Sequence, residues 1–283
     1  MLKNISRAWS FIIIALVYVV ASAVGILVFN ALSLDFWLSL LIADVAATVV
    51  TFIFSVIFNN ASVYDPYWSV QPIVITLAIA LYAGVNALGV IMIAVVLAWG
   101  IRLTANWAYT FHGMAHQDWR YTMLKEKTSI FYPIVNFLGI HLFPTLVVYA
   151  CVLPVTYAIL LKLPVNAFSV LFCVLSLGAV CLQGTADVQM QKFRKSRTGG
   201  FIRVGLWKYS RHPNYLGEIL MWWGMALAFI CALPSAWYLG AGALVNTLMF
   251  LFISIPMADK RQAKKQGFDE YRTATRILLP IKK

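Results

Sequence analysis

Three side chains that could act together on a ligand, the Asn214 carboxamide, the Glu218 carboxylate and the Trp222 indole, recur every four residues. That spacing puts them on one face of a helix. Directly before them, residues 192–212 carry Lys192, Arg194, Lys195, Arg197, Arg203, Lys208 and Arg211 with no acid among them. Such a field suits an anion, above all a phosphate-bearing ligand. Pro213 fits the first turn of the helix, where its missing N–H costs nothing. A helix starting there aims free N–H groups and the positive end of its dipole at the same basic stretch. Upstream, Gln183, Asp187 and Gln191 repeat at the same interval and lead into the cations. Asp187 suits either an ion-pair anchor or the ribose or amide edge of a nucleotide.

The elements that must position these groups are membrane helices. Of 283 residues, 62% are hydrophobic and 11% charged, the mean hydropathy is +0.82, and several apolar runs approach or exceed the roughly 20 residues that cross a bilayer. The runs are 9–32, 36–58, 71–84, 87–111, 131–160, 166–191, 214–233 and 236–257. The expected fold is an all-α polytopic membrane bundle, with eight spans if the short 71–84 run crosses and seven if it is re-entrant. The first run is too long for a signal-peptide core and reads as a retained span.

The net charge of +12 is concentrated late, with 7 Lys and Arg in residues 192–212 and 8 in 258–283. The positive-inside rule accounts for clusters of this kind in cytoplasmic loops; so does convergence of both clusters over one anionic ligand. Eight spans put residues 1–8, which include Lys3 and Arg7, together with 112–130, 192–212 and the tail, on the cytoplasmic side. Interleaving of cations with spans argues against a nucleic-acid binder. Cys151, Cys173, Cys181 and Cys231 all lie in apolar runs and read as small core hydrophobes.

Several polar groups fall inside or beside spans. Asp44 lies at membrane depth, where an ionisable residue faces the bundle interior or a watery cavity. Residues 59–68, Asn-Asn-Ala-Ser-Val-Tyr-Asp-Pro-Tyr-Trp, form a polar turn whose aromatics suit an interfacial belt. Within it Asp65 sits between two phenols, Tyr64 and Tyr67, that could share a proton with it. Arg102, Asn106 and Tyr109 follow one helical face; Arg102 either snorkels or serves a site. His112 and His116 lie in a polar loop over 112–130, and Gly113 between them weakens any metal-binding helix. Pro144 and Pro154 are expected to kink the fifth span, which contains His141.

At Ser210-Arg211-His212-Pro213-Asn214-Tyr215-Leu216-Gly217-Glu218 the chain resembles the steroid 5-alpha-reductase family, in its bacterial DUF1295 branch. The likeness runs from about Gln183 to the C-terminus, with a weaker likeness at residues 59–68 and at 99–107. It implies a multi-span enzyme of a bacterial inner membrane, which binds NADPH in a cytosol-facing cavity and reduces a C=C bond conjugated to a ketone. It further implies one integral domain over residues 1–283, with residues 1–130 lining the substrate site and 166–283 forming the cofactor-binding half. By the resemblance Gln183, Asp187 and Arg194 contact the nucleotide, and Asn214, Glu218 and Trp222 line its nicotinamide end. Tyr209, Arg211, His212 and Tyr215 lie near the cofactor, Lys260 and Arg261 close over phosphate, and Tyr271 belongs to a similar terminal segment. A 2′-phosphate would explain the arginine excess and favour NADPH over NADH.

The family's catalytic glutamate and tyrosine have no clear counterpart. Trp99 stands where the tyrosine aligns, Asp65 with Tyr64 and Tyr67 is the nearest chemical substitute, and Arg102 and Asn106 remain as hydrogen-bond donors. The implied partners are a lipophilic substrate entering from the bilayer and the membrane lipids themselves. A looser form of the same motif occurs in S-adenosylmethionine-dependent membrane methyltransferases, but the tail lacks their adjacent Glu-Glu pair. A non-catalytic lipid-binding membrane protein is the third reading.

Overall fold

The computed structural model describes residues 5–196 and 199–281, so Lys3, Arg197, Lys282 and Lys283 lie outside the described residues. Ser6 caps the first helix by accepting the Trp9 N–H at 3.3 Å. That helix, α1 (Arg7–Ala31), is followed by α2 (Phe36–Ile57). The Asn60 side chain then accepts the Ser62 N–H at 2.9 Å and opens a 3-10 turn over Ala61–Tyr64. The Pro66 carbonyl receives the N–H groups of Ser69 and Val70 at 3.1 and 3.0 Å, which starts α3 (Tyr67–Ala83). Most of the stretch expected as a polar turn is therefore helical, and it lengthens the third span to Ala61–Ala83. Among the described residues eight helices are long and apolar enough to cross a membrane.

After α4 (Ala87–Thr110) the expected loop is half helix: Asp118 accepts the Arg120 N–H at 2.8 Å and caps α5 (Trp119–Thr128). A short α6 (Tyr132–Val135) leads into a wide π-turn over Asn136–Leu142 and then α7 (Phe143–Leu160). In that turn the Phe143 N–H reaches back to the Leu138 carbonyl, five residues away. The widening comes just before Pro144, whose ring would crowd the carbonyl four residues back and which has no N–H to give it. The sequence repeats the device. After α8 (Ala167–Lys195), α9 (Pro213–Ala232), a 3-10 segment at Pro234–Gly240 and α10 (Ala241–Met249), a second π-turn over Phe250–Ser254 precedes Pro256 in α11 (Ile255–Gln262). The chain closes with α12 (Phe268–Ala274). No strand occurs among the described residues; Ser210 and Arg276 form one isolated bridge.

The chain forms two compact units, residues 1–77 with 103–153, and residues 78–102 with 154–283. The first is built on α1 and α2, with a core of Ile14, Val17, Tyr18, Ala47, Val63 and Tyr67. Burial of the polar turn is visible here, since Tyr64 and Tyr67 are 3% and 5% exposed rather than interfacial. In the second unit α8 lies against α9. A Cβ added at Gly217 would meet the Ala179 carbonyl oxygen and the Gln183 Cβ at 2.7 Å, and one at Gly224 would meet the Ser176 hydroxyl at 2.1 Å. Small residues seven apart thus bring the two helix backbones close, the usual way that membrane helices gain packing without a hydrophobic driving force.

Candidate functional site

Glu218, 2% exposed, is the centre of the second unit's polar interior. One carboxylate oxygen accepts from the Trp99 indole and from the Gln183 amide, both at 2.7 Å. The other accepts from the Trp222 indole at 3.1 Å. Three helices contribute, α4, α8 and α9, and the close approach at Gly217 brings Gln183 alongside its partner. A buried carboxyl without such donors would be very costly, and these three donors are neutral side chains.

Beside it, Arg102 pairs with Asp187 at 2.6 Å, and the Asn214 amide lies 3.4 Å from the other Asp187 oxygen. Gly184 makes room for the arginine stem, since a Cβ there would lie 3.2 Å from Arg102 Cδ. The cluster is not saturated. Arg102 Nε and Nη2, Gln183 Oε1 and Asn214 Oδ1 are buried and have no hydrogen-bond partner. Two donors and two acceptors on adjoining side chains are thus left for a polar ligand, because buried polar groups are ordinarily paired.

Toward the basic stretch the structure separates positioning residues from exposed cations. Arg211 and His212 both bond Asp259, at 3.0 and 2.9 Å. Arg211 also donates to the Arg272 and Thr275 carbonyls at 3.0 and 2.7 Å, and its own N–H donates to the Arg276 carbonyl at 2.9 Å. Tyr271 donates to the Trp207 carbonyl, and its burial pushes its hydroxyl up to about 12. Tyr215 stacks on His212 at 5.1 Å and packs against Phe250 at 4.8 Å. Arg211 and Tyr271 thus tie the C-terminal segment to the chain before α9, while His212 and Tyr215 pack at the start of that helix.

Arg194, Tyr209, Lys260 and Arg261 are exposed. Lys265 donates to the Gly200 carbonyl at 2.6 Å; partial burial first, and then the field of Arg261 and Arg194, holds it below the usual lysine range, so cations from the end of α8 and from the tail act on one another. Gly205, with φ +61°, takes a conformation in which a Cβ would strike the Gln189 amide at 2.5 Å, and that amide accepts the Leu206 N–H at 2.9 Å.

In the first unit the phenols beside Asp65 turn away from it. Tyr64 pairs with the Thr145 hydroxyl at 2.9 Å, and Tyr67 donates to Asp44 at 3.3 Å. Asp65 instead accepts from Tyr121 at 2.5 Å, with the Arg120 guanidinium 3.9 Å away. The expected proton sharing within the 64–67 segment is thus replaced by three separate pairings, because successive residues of a helical turn diverge. The Asp44 carboxylate also accepts from Gln71. Gln71 and Thr145 were missed in the sequence; Tyr67 and Gln71 lie four apart, a spacing that was available as a signal. His141, fully buried, bonds the Asn136 carbonyl through Nδ1 at 3.0 Å, and its Nε2 has no partner. Among the described residues no three His, Cys, Asp or Glu side chains come together as a metal site.

Comparison with known proteins bears on most of the chain. A curated relative, the uncharacterized protein C594.04c of Schizosaccharomyces pombe, is 27% identical over 194 residues, which cover 58% of this chain and 56% of the relative. The match thus spans little more than half of that relative's length. No solved structure matches. The profile of the family described as "Protein of unknown function (DUF1295)" matches residues 51–275, which take in α3 to α12 and the whole polar cluster around Glu218 and Asp187. The chain therefore belongs to the DUF1295 family, whose members are related to the steroid 5-alpha-reductase-like enzymes.

Proposed function

We propose that the protein is an NADPH-dependent membrane reductase acting on an activated C=C bond of a lipophilic substrate. The observation that carries this reading is the unsaturated cluster in the second unit: buried, unpartnered polar atoms on Arg102, Gln183 and Asn214, grouped around Asp187 and Glu218. A carboxamide, with its own donors and acceptor, has the complementary chemistry. The gathered cations Arg194, Arg261 and Lys265 suit phosphate groups. The residues present therefore fit the cofactor.

In this reading Gln183 and Asn214 would accept from the N–H groups of the nicotinamide carboxamide and Arg102 would donate to it. Glu218, immobilised by Trp99 and Trp222, fixes the Gln183 side chain through its bond to that amide. Arg194 and Arg261 hold phosphate, and Lys260 adds to their field. When bound, NADPH supplies a hydride to the electrophilic carbon of the alkene. The enolate left by that transfer takes its proton from water, which completes the reduction. Exclusion of water by the buried indoles strengthens each of these polar contacts.

Cofactor-dependent thermal stabilisation of the detergent-purified protein tests the reading, since a ligand that binds the native state raises its apparent stability. NADPH is expected to raise the melting temperature more than NADH or S-adenosylmethionine. The Arg194→Ala variant should lose more of the NADPH effect than of the NADH effect, and equal losses would remove Arg194 from the 2′-phosphate. Selective stabilisation by S-adenosylmethionine would replace reduction with methyl transfer. No response to any of the three would favour a non-catalytic lipid-binding protein.

A further inference from the structure

A second ligand chemistry is visible away from the unsaturated cluster. A groove of about 620 Å³ lies between the C-terminal segment and the eighth span, and its lining includes Arg211, Leu251, Arg272, Arg276, Ile277 and Leu279. The lining has two characters. Arg272 and Arg276 are exposed, and among the described residues neither side chain has a hydrogen-bond or acidic partner. Arg211, 8% exposed, has an unpartnered Nε. No acid lines the groove, and the one carboxylate near Arg211, Asp259, is shared with His212. Against these cations stand apolar side chains left in the open: Ile277 is 45% and Leu279 55% exposed.

The position of the groove in the fold narrows what can occupy it. Leu251 belongs to the eighth membrane span, Pro234–Gln262, and Arg211 directly precedes the first turn of α9, which begins the seventh. The groove thus sits where two spans meet a cationic segment, at the level where a bilayer changes from acyl chain to headgroup. An extended chain held through its carbonyl groups forms the outer wall: the Arg211 N–H donates to the Arg276 carbonyl at 2.9 Å, and the His212 N–H to the Ile277 carbonyl at 3.2 Å.

We propose that this groove binds an anionic phospholipid, its phosphate held by Arg272 and Arg276 and its acyl chain laid on Leu251, Ile277 and Leu279. Charge selects the headgroup: a phosphate diester with no compensating cation answers two unpaired guanidiniums, whereas a zwitterionic lipid brings its own ammonium. The apolar wall selects a lipid over a free anion. Bound there, the lipid clamps the tail to the spans, so that a bilayer component stabilises the same strap that Arg211 and Tyr271 hold from within. The proposal does not depend on the reductase reading.

The test compares the full-length protein in dodecylmaltoside supplemented with dioleoylphosphatidylglycerol, dioleoylphosphatidylcholine or inorganic phosphate. Phosphatidylglycerol should raise the melting temperature by about 2–4 °C more than phosphatidylcholine. The Arg272→Gln, Arg276→Gln double variant should lose that difference. Native mass spectrometry of the wild-type protein with both lipids at equal concentration should show preferential retention of phosphatidylglycerol, a readout that does not require the variant to fold. Equal retention of the two lipids would overturn the proposal, as would a phosphatidylglycerol effect that survives loss of both arginines. An equal effect of inorganic phosphate would make the groove a free-anion site instead.

Discussion

Glu218 accepts three hydrogen bonds, two on one oxygen and one on the other, and only a carboxylate can take all three, because it has acceptors and no donor. Glu218→Gln must turn an NH2 toward at least one N–H. The expected loss is about 1–3 kcal/mol, read as a lower melting temperature of the detergent-purified protein. Trp222→Phe made together with Glu218→Gln removes the indole donor on the other oxygen, so the pair of changes should cost less than the sum of its parts. Strict additivity would show that the bond does not govern the site. The sequence placed Glu218 and Trp222 on one helical face by their spacing of four. It offered Trp99 only as an indole where the resemblance aligns a tyrosine. The 119 residues that separate Trp99 from Glu218 are closed by helix packing, which no local pattern reports. Arg211 and Tyr271 illustrate the converse: their types suggest an anion site, and their hydrogen bonds to backbone carbonyls give them a positioning role.

At the scale of elements, the α8–α9 crossing sets where Gln183 and Glu218 meet. Gly217→Ala puts a Cβ at 2.7 Å from both the Ala179 carbonyl oxygen and the Gln183 Cβ, neither of which is the free end of a flexible side chain. Overpacking of this kind costs about 1–3 kcal/mol, and it displaces the side chain that holds Glu218. Gly178→Ala on the same α8 meets nothing within 4 Å and should be neutral or gain up to about 1 kcal/mol of helix propensity. Melting temperatures of the two variants measured side by side decide whether close approach, rather than helix content, is what Gly217 supplies; a Gly217 variant as stable as the wild type would refute it. The spans themselves were largely legible, since apolar runs of bilayer length leave few alternatives. Their ends were less so. Residues 59–68 and 112–130 look polar enough for loops, but Asn60 and Asp118 act there as helix caps. Pro144 was legible as a disruption, and the form it takes, a π-turn that keeps the helix running, is set by packing around it.

For the whole molecule, eight spans divide the connections into two sets. The set opposite the N-terminus, residues 32–35, 84–86, 161–166 and 233, contains one basic residue, Lys162. The other set holds the cations of residues 196–212 and of the tail. Positive-inside sorting then predicts that reporters fused at the N-terminus, near residue 200 and at the C-terminus all register the cytoplasm, and that one inserted at 161–166 registers the opposite side. Termini on opposite sides would contradict an even number of spans. The sequence by itself determined the all-helical membrane class, the face shared by Asn214, Glu218 and Trp222, and the basic stretch before it. Each follows from hydropathy, charge or helical period, which act over neighbouring residues. Only the tertiary structure decided which carboxylate each donor serves: Tyr67 with Asp44 rather than Asp65, Arg102 with Asp187, Trp99 with Glu218. Those pairings depend on how separate helices cross and at what depth they face one another, and burial makes a partner obligatory without specifying which one it is.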